Sequence, residues 1–131
     1  MALVIVPPYA VTDLWPHVVP YLQRALDEVD EFRFDAEDIL GQLVRKEAVL
    51  WVRDKPFDLV VFTEVLRHPK AVELSIGPIA GELGGQWEEE LVQLEEWARE
   101  IGCSHVGTFG RPGWKRKLGW SHVASYCARR L

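Results

Sequence analysis

One stretch limits the possible folds more than any other: Leu74-Ser-Ile-Gly-Pro-Ile-Ala-Gly-Glu-Leu-Gly-Gly-Gln-Trp-Glu-Glu-Glu-Leu91. It reads as a strand, a glycine-bearing turn and a long amphipathic helix over Gln86–Ile101. Trp87, Leu91, Leu94, Trp97, Ala98 and Ile101 fall on one face at helical spacing, glutamates fill the other, and Gly102 supplies a stop. A strand that turns through glycines into a helix aims backbone N–H groups at one spot. That spot suits an anion, because a helix N-terminus carries partial positive charge. Gly81, Gly84 and Gly85 can present such amides with no Cβ in the way. Glu82 and Glu88–Glu90 sit in the same place, so the alternative is a self-capped helix that needs no ligand.

The rest of the chain supplies partners for this unit. Ala2–Val6 reads as a buried first strand, stopped by Pro7-Pro8. Thr12 or Asp13 can cap a helix whose apolar stripe is Trp15, Val18, Val19, Leu22, Ala25, Leu26 and Val29. Pro20 predicts a kink or a break in it. Asp35 opens a second helix with Ile39, Leu40, Leu43 and Val44 as its buried stripe. Ala48–Arg53, Asp58–Leu66 and Ala71–Ile76, joined by short turns, form an antiparallel meander. Gly77-Pro78 then implies a bulge or a splayed edge, because proline cannot donate to a sheet ladder. His105–Phe109 is a strand, Arg111–Leu118 a short basic helix and His122–Arg129 a last strand. The helix between Ala71–Ile76 and His105–Phe109 implies one parallel crossover. The expected fold is therefore α/β (α+β by stricter naming): one domain over 1–131, with a mixed, mostly antiparallel sheet of 6–7 strands and about four helices.

Composition excludes several function classes. At 131 residues the chain is one domain, and 48% hydrophobic and 27% charged residues are ordinary for a globular protein. A net charge of −5 argues against nucleic acid as partner. No run reaches the roughly 18 apolar residues of a membrane span, and the apolar start Met1–Val6 is too short for a secretory signal. Cys103 and Cys127 belong to no CxxC or Cys/His cluster, so no metal site is expected, and both read as buried reduced thiols.

The element order, three meander strands followed by strand, turn, helix and strand, resembles the GCN5-related N-acetyltransferase (GNAT) superfamily. Gly110-Arg-Pro-Gly-Trp-Lys-Arg-Lys-Leu-Gly-Trp120 is similar to that family's short last helix, which commonly ends in Leu-Gly-Phe. The same segment resembles small GNAT-like proteins of phages and prophages, some related to internal virion proteins. The resemblance implies an acyltransferase that moves an acetyl group from acetyl-CoA to an amine, on a small molecule or a protein. Its alternative is a non-catalytic phage protein that acts in virion assembly or binds a host protein. The implied location is the bacterial cytoplasm, or the virion.

The family binds its cofactor along the fourth strand and on a turn written [Gln/Arg]-x-x-Gly-x-[Gly/Ala]. The overlay Gly81-Glu-Leu-Gly84-Gly-Gln86 matches that turn at Gly84 alone, with Gly81 in place of the polar residue and Gln86 in place of the small one. The implied cofactor residues are Ser75, Ile76, Gly81, Gly84, Gly85 and Gln86, with Arg111 and Lys115 toward the phosphates. Lys115 also stands where the family often has its tyrosine acid. An amine nucleophile needs a nearby base. Glu73 and His105 are the candidates, on the strand that would hold the thioester and at the start of the next, and Glu64 lies on the neighbouring strand. Tyr126 is the substitute acid. Each has a plainer reading, as a carboxylate on a sheet rim or a packing aromatic.

Overall fold

The computed structural model describes residues 3–81, 88–109, 119–124 and 126–131. Among them are β1 (Val4–Val6), α1 (Pro8–Glu28), α2 (Ala36–Val44), β2 (Val49–Asp54), β3 (Phe57–His68), β4 (Ala71–Gly81), α3 (Glu88–Glu100) and β5 (His105–Gly107). The five strands form one sheet in sequence order. β1 to β4 pair antiparallel, and β4 pairs β5 in parallel across the α3 crossover. The mixed, mostly antiparallel α+β architecture agrees with the sequence expectation. The described residues hold five strands and three helices, fewer than the 6–7 and about four expected. The shortfall has a visible cause at the C-terminus. The described part of His122–Arg129 forms no strand and is exposed to solvent. The helix expected over Arg111–Leu118 lies outside the described residues, apart from its following Gly119.

Alternation along the strands makes two cores. Leu50, Val52, Val60 and Phe62 point toward α1 and α2, where Val11, Val18, Leu22, Leu26, Ile39 and Leu43 meet them. Trp51, Leu59, Val61, Leu74 and Ile76 point the other way, onto Leu91, Leu94 and Ala98 of α3. Trp51 is buried there, donates its indole N–H to Thr63 Oγ1 at 2.9 Å and meets Trp97 edge-on at 5.1 Å.

Several local expectations are corrected. α1 begins at Pro8, not after Thr12 or Asp13, and no side chain caps it. Proline suits a first helical position because its missing N–H would have had no partner there. Pro16 and Pro20 lie inside α1, which continues to Glu28 instead of breaking at Pro20. Thr12, Pro16 and Pro20 all lie on the exposed side, so the carbonyls they leave unbonded face water. The first strand is a sheet edge: Val4 and Ile5 are exposed rather than buried. Val29, Val44 and Ile101 drop out of their helices' buried stripes, each at or beyond a helix end. Asp35, by contrast, caps α2 as expected, in a reciprocal capping box with Asp38. Gly102 takes φ +91° just past α3, as its role of helix stop requires. Cys103 is half-buried and Cys127 exposed, so the buried-thiol expectation fails for Cys127.

Candidate functional site

The site is built where β4 leaves its neighbour. β4 and β5 pair over three positions, Glu73 with His105, Leu74 with Val106 and Ser75 with Gly107. Past Ser75, β4 runs on to Gly81 paired with β3 alone among the described residues. Gly77 and Pro78 together oppose the single residue Phe62, which is the bulge expected of that dipeptide. Gly77 has φ +134°, a backbone shape that side chains rarely adopt. The outer edge of β4 thus opens away from β5, with its apex at Ser75 and Gly107. Thr108 closes the apex by donating from Oγ1 to the Ile76 carbonyl at 2.7 Å. Phe109 does not fill the opening: it is exposed and meets Tyr126 edge-on at 6.3 Å.

Directly beside this opening, on the α2 side of the sheet, is a cleft of about 490 Å³. Phe34, Ile39, Ala48 and Phe62 form its apolar part, Gly77 and Pro78 its sheet end, and Glu37, Asp38 and Glu64 its carboxylates. Arg33 and Arg45 also line it, but each is already paired. Arg33 binds Glu31 through both guanidinium branches, and Arg45 does the same with Glu47. With those charges neutralised locally, the balance inside the cleft is acidic. Glu64 is half-buried and faces the same side as Ser75, its register partner across β3 and β4.

Arg33 organises the rim. Its guanidinium lies 5.5 Å from the Phe34 ring, 5.8 Å from Phe109 and 5.0 Å from Tyr126. It thereby joins the α1–α2 connection, the end of β5 and the C-terminal segment. Its hydrogen bonds hold the Glu31 carboxyl down at about 2, from an ordinary value of 4.5. A depressed carboxyl pKa stabilises the fold fully above 4.5, and that contribution fades as pH falls toward about 2. The difference in unfolding free energy between the protein and its Glu31→Gln variant should therefore shrink to nothing across that window. Solvent screening at Arg33, whose side chain keeps 39% of its surface exposed, limits the difference to about 1 kcal/mol. Urea titrations at stepped pH would check it, and a difference that grows on acidification would contradict it.

The sequence candidates separate in space. Ser75 stands at the apex, and Ile76 is buried beneath it on the α3 side with its carbonyl held by Thr108. Glu73 lies two residues before the apex. It bonds His68 Nε2 at 2.8 Å and spreads over Gly107, where a Cβ would collide with its carboxylate. His105 bonds Ser104 Oγ through Nδ1 at 2.8 Å and is exposed at the far end of the seam. Tyr126 is not on a strand but sits on Arg33 at the cleft rim. Gly81 belongs to β4, opposite Leu59, and a side chain there would strike the Asp58 carbonyl. Close backbone contact alone is enough to require glycine at that position. Gly84, Gly85, Gln86, Arg111 and Lys115 lie outside the described residues.

Sequence reasoning missed the cleft on the α2 side, and with it Glu37 as a wall residue and Glu64 as the carboxylate beside the bulge. It also misplaced Glu90, which it put on the solvated face of α3. Glu90 is 2% exposed and bonds Arg53 Nη1 at 2.7 Å, while Arg53 Nε bonds Asp58 at 2.7 Å. Arg53 follows Trp51 by two residues and so points at α3, the one signal that could have paired it with a helix carboxylate.

No protein-family model matches the chain, and no curated protein matches it by sequence. Solved structures match its fold closely. A predicted acetyltransferase from Clostridium acetobutylicum, determined with acetyl-CoA, superposes with TM-score 0.70 at 15% identity, covering 98% of this chain and 95% of that one. A ribosomal-protein-alanine N-acetyltransferase from Brucella melitensis biovar Abortus 2308 gives 0.66 at 17% identity, covering 98% and 99%. An acetyltransferase from Trypanosoma brucei gives 0.65 at 15% identity, covering 98% of each chain. The fold is thus GNAT-like over nearly the whole length.

Proposed function

We propose that this protein transfers an acetyl group from acetyl-CoA to a primary amine that enters the cleft between α2 and the β3–β4 bulge. One observation carries the reading: β4 parts from β5 at Ser75 and Gly107, directly beside an acidic cleft whose sheet end is Gly77-Pro78. The fold shared with acetyltransferases supports it.

The residues divide the work as follows. The open edge of β4 past Ser75 offers backbone N–H and C=O groups to an extended thioester arm, and a β4 N–H polarises the thioester carbonyl. Acetyl-CoA supplies the activated acyl group. Glu37 and Glu64 attract a cationic acceptor, and Glu64, at the bulge, takes the ammonium proton so that the neutral amine attacks, the second N–H proton that leaves as the amide forms replacing the one Tyr126 gives to sulfur. The acyl carbon–nitrogen bond forms as the carbon–sulfur bond breaks, and CoA leaves as its thiol. Tyr126 at the rim is the proton donor to that sulfur. Glu73 and His105, on the seam before the apex, act as a second carboxylate and imidazole along the same sheet face. On sequence grounds the phosphates are assigned to Gly84–Gln86, Arg111 and Lys115. No helix among the described residues is long and apolar enough to cross a membrane.

Acetyl-CoA at millimolar concentration should raise the midpoint of thermal unfolding. A dissociation constant a hundredfold below the ligand concentration corresponds to about 2.7 kcal/mol of stabilisation. No shift would overturn the reading. A non-catalytic phage protein acting in virion assembly or on a host protein would then be favoured, a reading supported by Lys115 in the place of the family's tyrosine.

A further inference from the structure

The tyrosine assigned above as proton donor lies in a stretch that gives it little support of its own. Residues 126–131 form no helix or strand, and Tyr126 is 55% exposed. A proton donor acts only within about 2.6–3.2 Å of the atom that takes the proton. A side chain on such a stretch must therefore be held by groups from other parts of the chain. Arg33 and Phe109 hold this one. The Arg33 guanidinium lies 5.0 Å from the Tyr126 ring centroid, and Phe109 meets the same ring edge-on at 6.3 Å.

Both supports are themselves fixed. Arg33 donates from Nε and Nη2 to the two oxygens of Glu31, whose side chain keeps only 6% of its surface exposed, so the pair is rooted below the surface. The Phe34 ring, 5.5 Å from the guanidinium, adds a further contact. Phe109 follows Thr108, whose hydroxyl is bonded to the Ile76 carbonyl. Phe109 stands two residues past Gly107, within about 7 Å of chain from the point where β4 and β5 part. Tyr126 is thereby tied to the opening through Phe109 and to the α1–α2 connection through Arg33. Stability alone is a weak reason for this arrangement, since a cation against a ring at an exposed site contributes about 0.5–1 kcal/mol. What a planar guanidinium adds is position: two parallel bonds to one carboxylate keep it from swinging as a single bond would allow.

We infer that Arg33 is the positioning residue for Tyr126: it holds the ring at the mouth of the opening, where the hydroxyl gives its proton to the CoA sulfur as the carbon–sulfur bond breaks and regains one from the nitrogen as the amide forms. The inference rests on the assignment of Tyr126 above and names the residue through which that assignment acts.

The test measures single-turnover rates of acetyl transfer from acetyl-CoA to a small diamine, and acetyl-CoA affinity by calorimetry, on the full chain and its variants. Tyr126→Phe keeps the ring and removes the proton, and should lower the rate by about 10²–10⁴. Arg33→Lys leaves Glu31 a cation but lacks the fork and the flat face. Phe109→Leu removes a ring that is 76% exposed, so neither change threatens the fold. Each should lower the rate at least about tenfold and leave acetyl-CoA affinity within about twofold of the parent. In the Tyr126→Phe background each should lower the rate by less than about twofold, because a residue that acts through the tyrosine proton then has nothing left to position. Losses of the same size in both backgrounds would overturn the inference and leave Tyr126 as the donor. Weakened acetyl-CoA binding with an unchanged rate would overturn it in the same way. A parental rate in Tyr126→Phe would overturn the assignment of Tyr126 and this inference with it, while acetyl transfer itself stands. A parent protein that transfers no acetyl group would overturn the proposed function and the inference together.

Discussion

Glu64→Gln should cut the rate of acetyl transfer to a cationic amine by about 10²–10⁴, the usual contribution of a positioned general base. Acetyl-CoA binding should stay within about twofold, since Glu64 faces the acceptor cleft and not the outer edge of β4. The change is nearly isosteric, so packing around the half-buried side chain is preserved. The carboxylate makes none of the hydrogen bonds or ion pairs found among the described residues, so little stability is expected to go with it. A suitable assay follows release of the CoA thiol with a small diamine as acceptor, as the acidic walls favour a cation. The same change at Glu73 should cost less. That carboxylate is bonded to His68 and lies over Gly107, two residues before the apex. Transfer unaffected by Glu64→Gln but abolished by Glu73→Gln would move the base to the seam.

The largest effect on stability is expected at Arg53. Arg53→Ala leaves Glu90 buried at 2% exposure without the guanidinium that neutralises it. Removing one partner of a buried pair costs about 3–5 kcal/mol. The lower figure applies here, because the Asp58 side chain keeps 23% of its surface in water. The paired change Arg53→Met with Glu90→Leu should recover most of that loss, since no charge is left buried alone. Urea unfolding of both variants separates the cases: the single change lowers the midpoint strongly with the slope unchanged, and the double change nearly restores it. A double variant as unstable as the single would mean that Asp58, not Glu90, is the partner that matters.

Much of the fold was legible in local pattern. The meander strands, the Asp35 cap, the Gly77-Pro78 bulge and the Gly102 stop each follow from a few neighbouring residues. The misreadings have a common physical source. Pro7-Pro8 reads in sequence as the end of a strand, although a proline pair also opens a helix, and α1 begins at Pro8. Pro20 predicts a kink or a break because proline removes a helix hydrogen bond, a cost that falls when the freed carbonyl faces water, and which face meets water is set by tertiary packing. His122–Arg129 has the composition of a strand, yet its described residues form none. The candidate site was half legible. Ser75 and the bulge marked the opening, but the cleft beside it is made by α2 and β3 together, and nothing local joins Glu37 to Glu64.

By itself the sequence determined the order of elements, the parallel crossover and the place where β4 must deform, because periodicity, capping and proline chemistry act over a few residues. Only the tertiary structure decided that Val4 and Ile5 lie at a sheet edge, that Glu90 is buried on Arg53, and that carboxylates from α2 and β3 share one cleft. Such facts depend on which faces meet after the chain has folded back on itself. A glutamate reads the same in sequence whether water or a guanidinium will neutralise it.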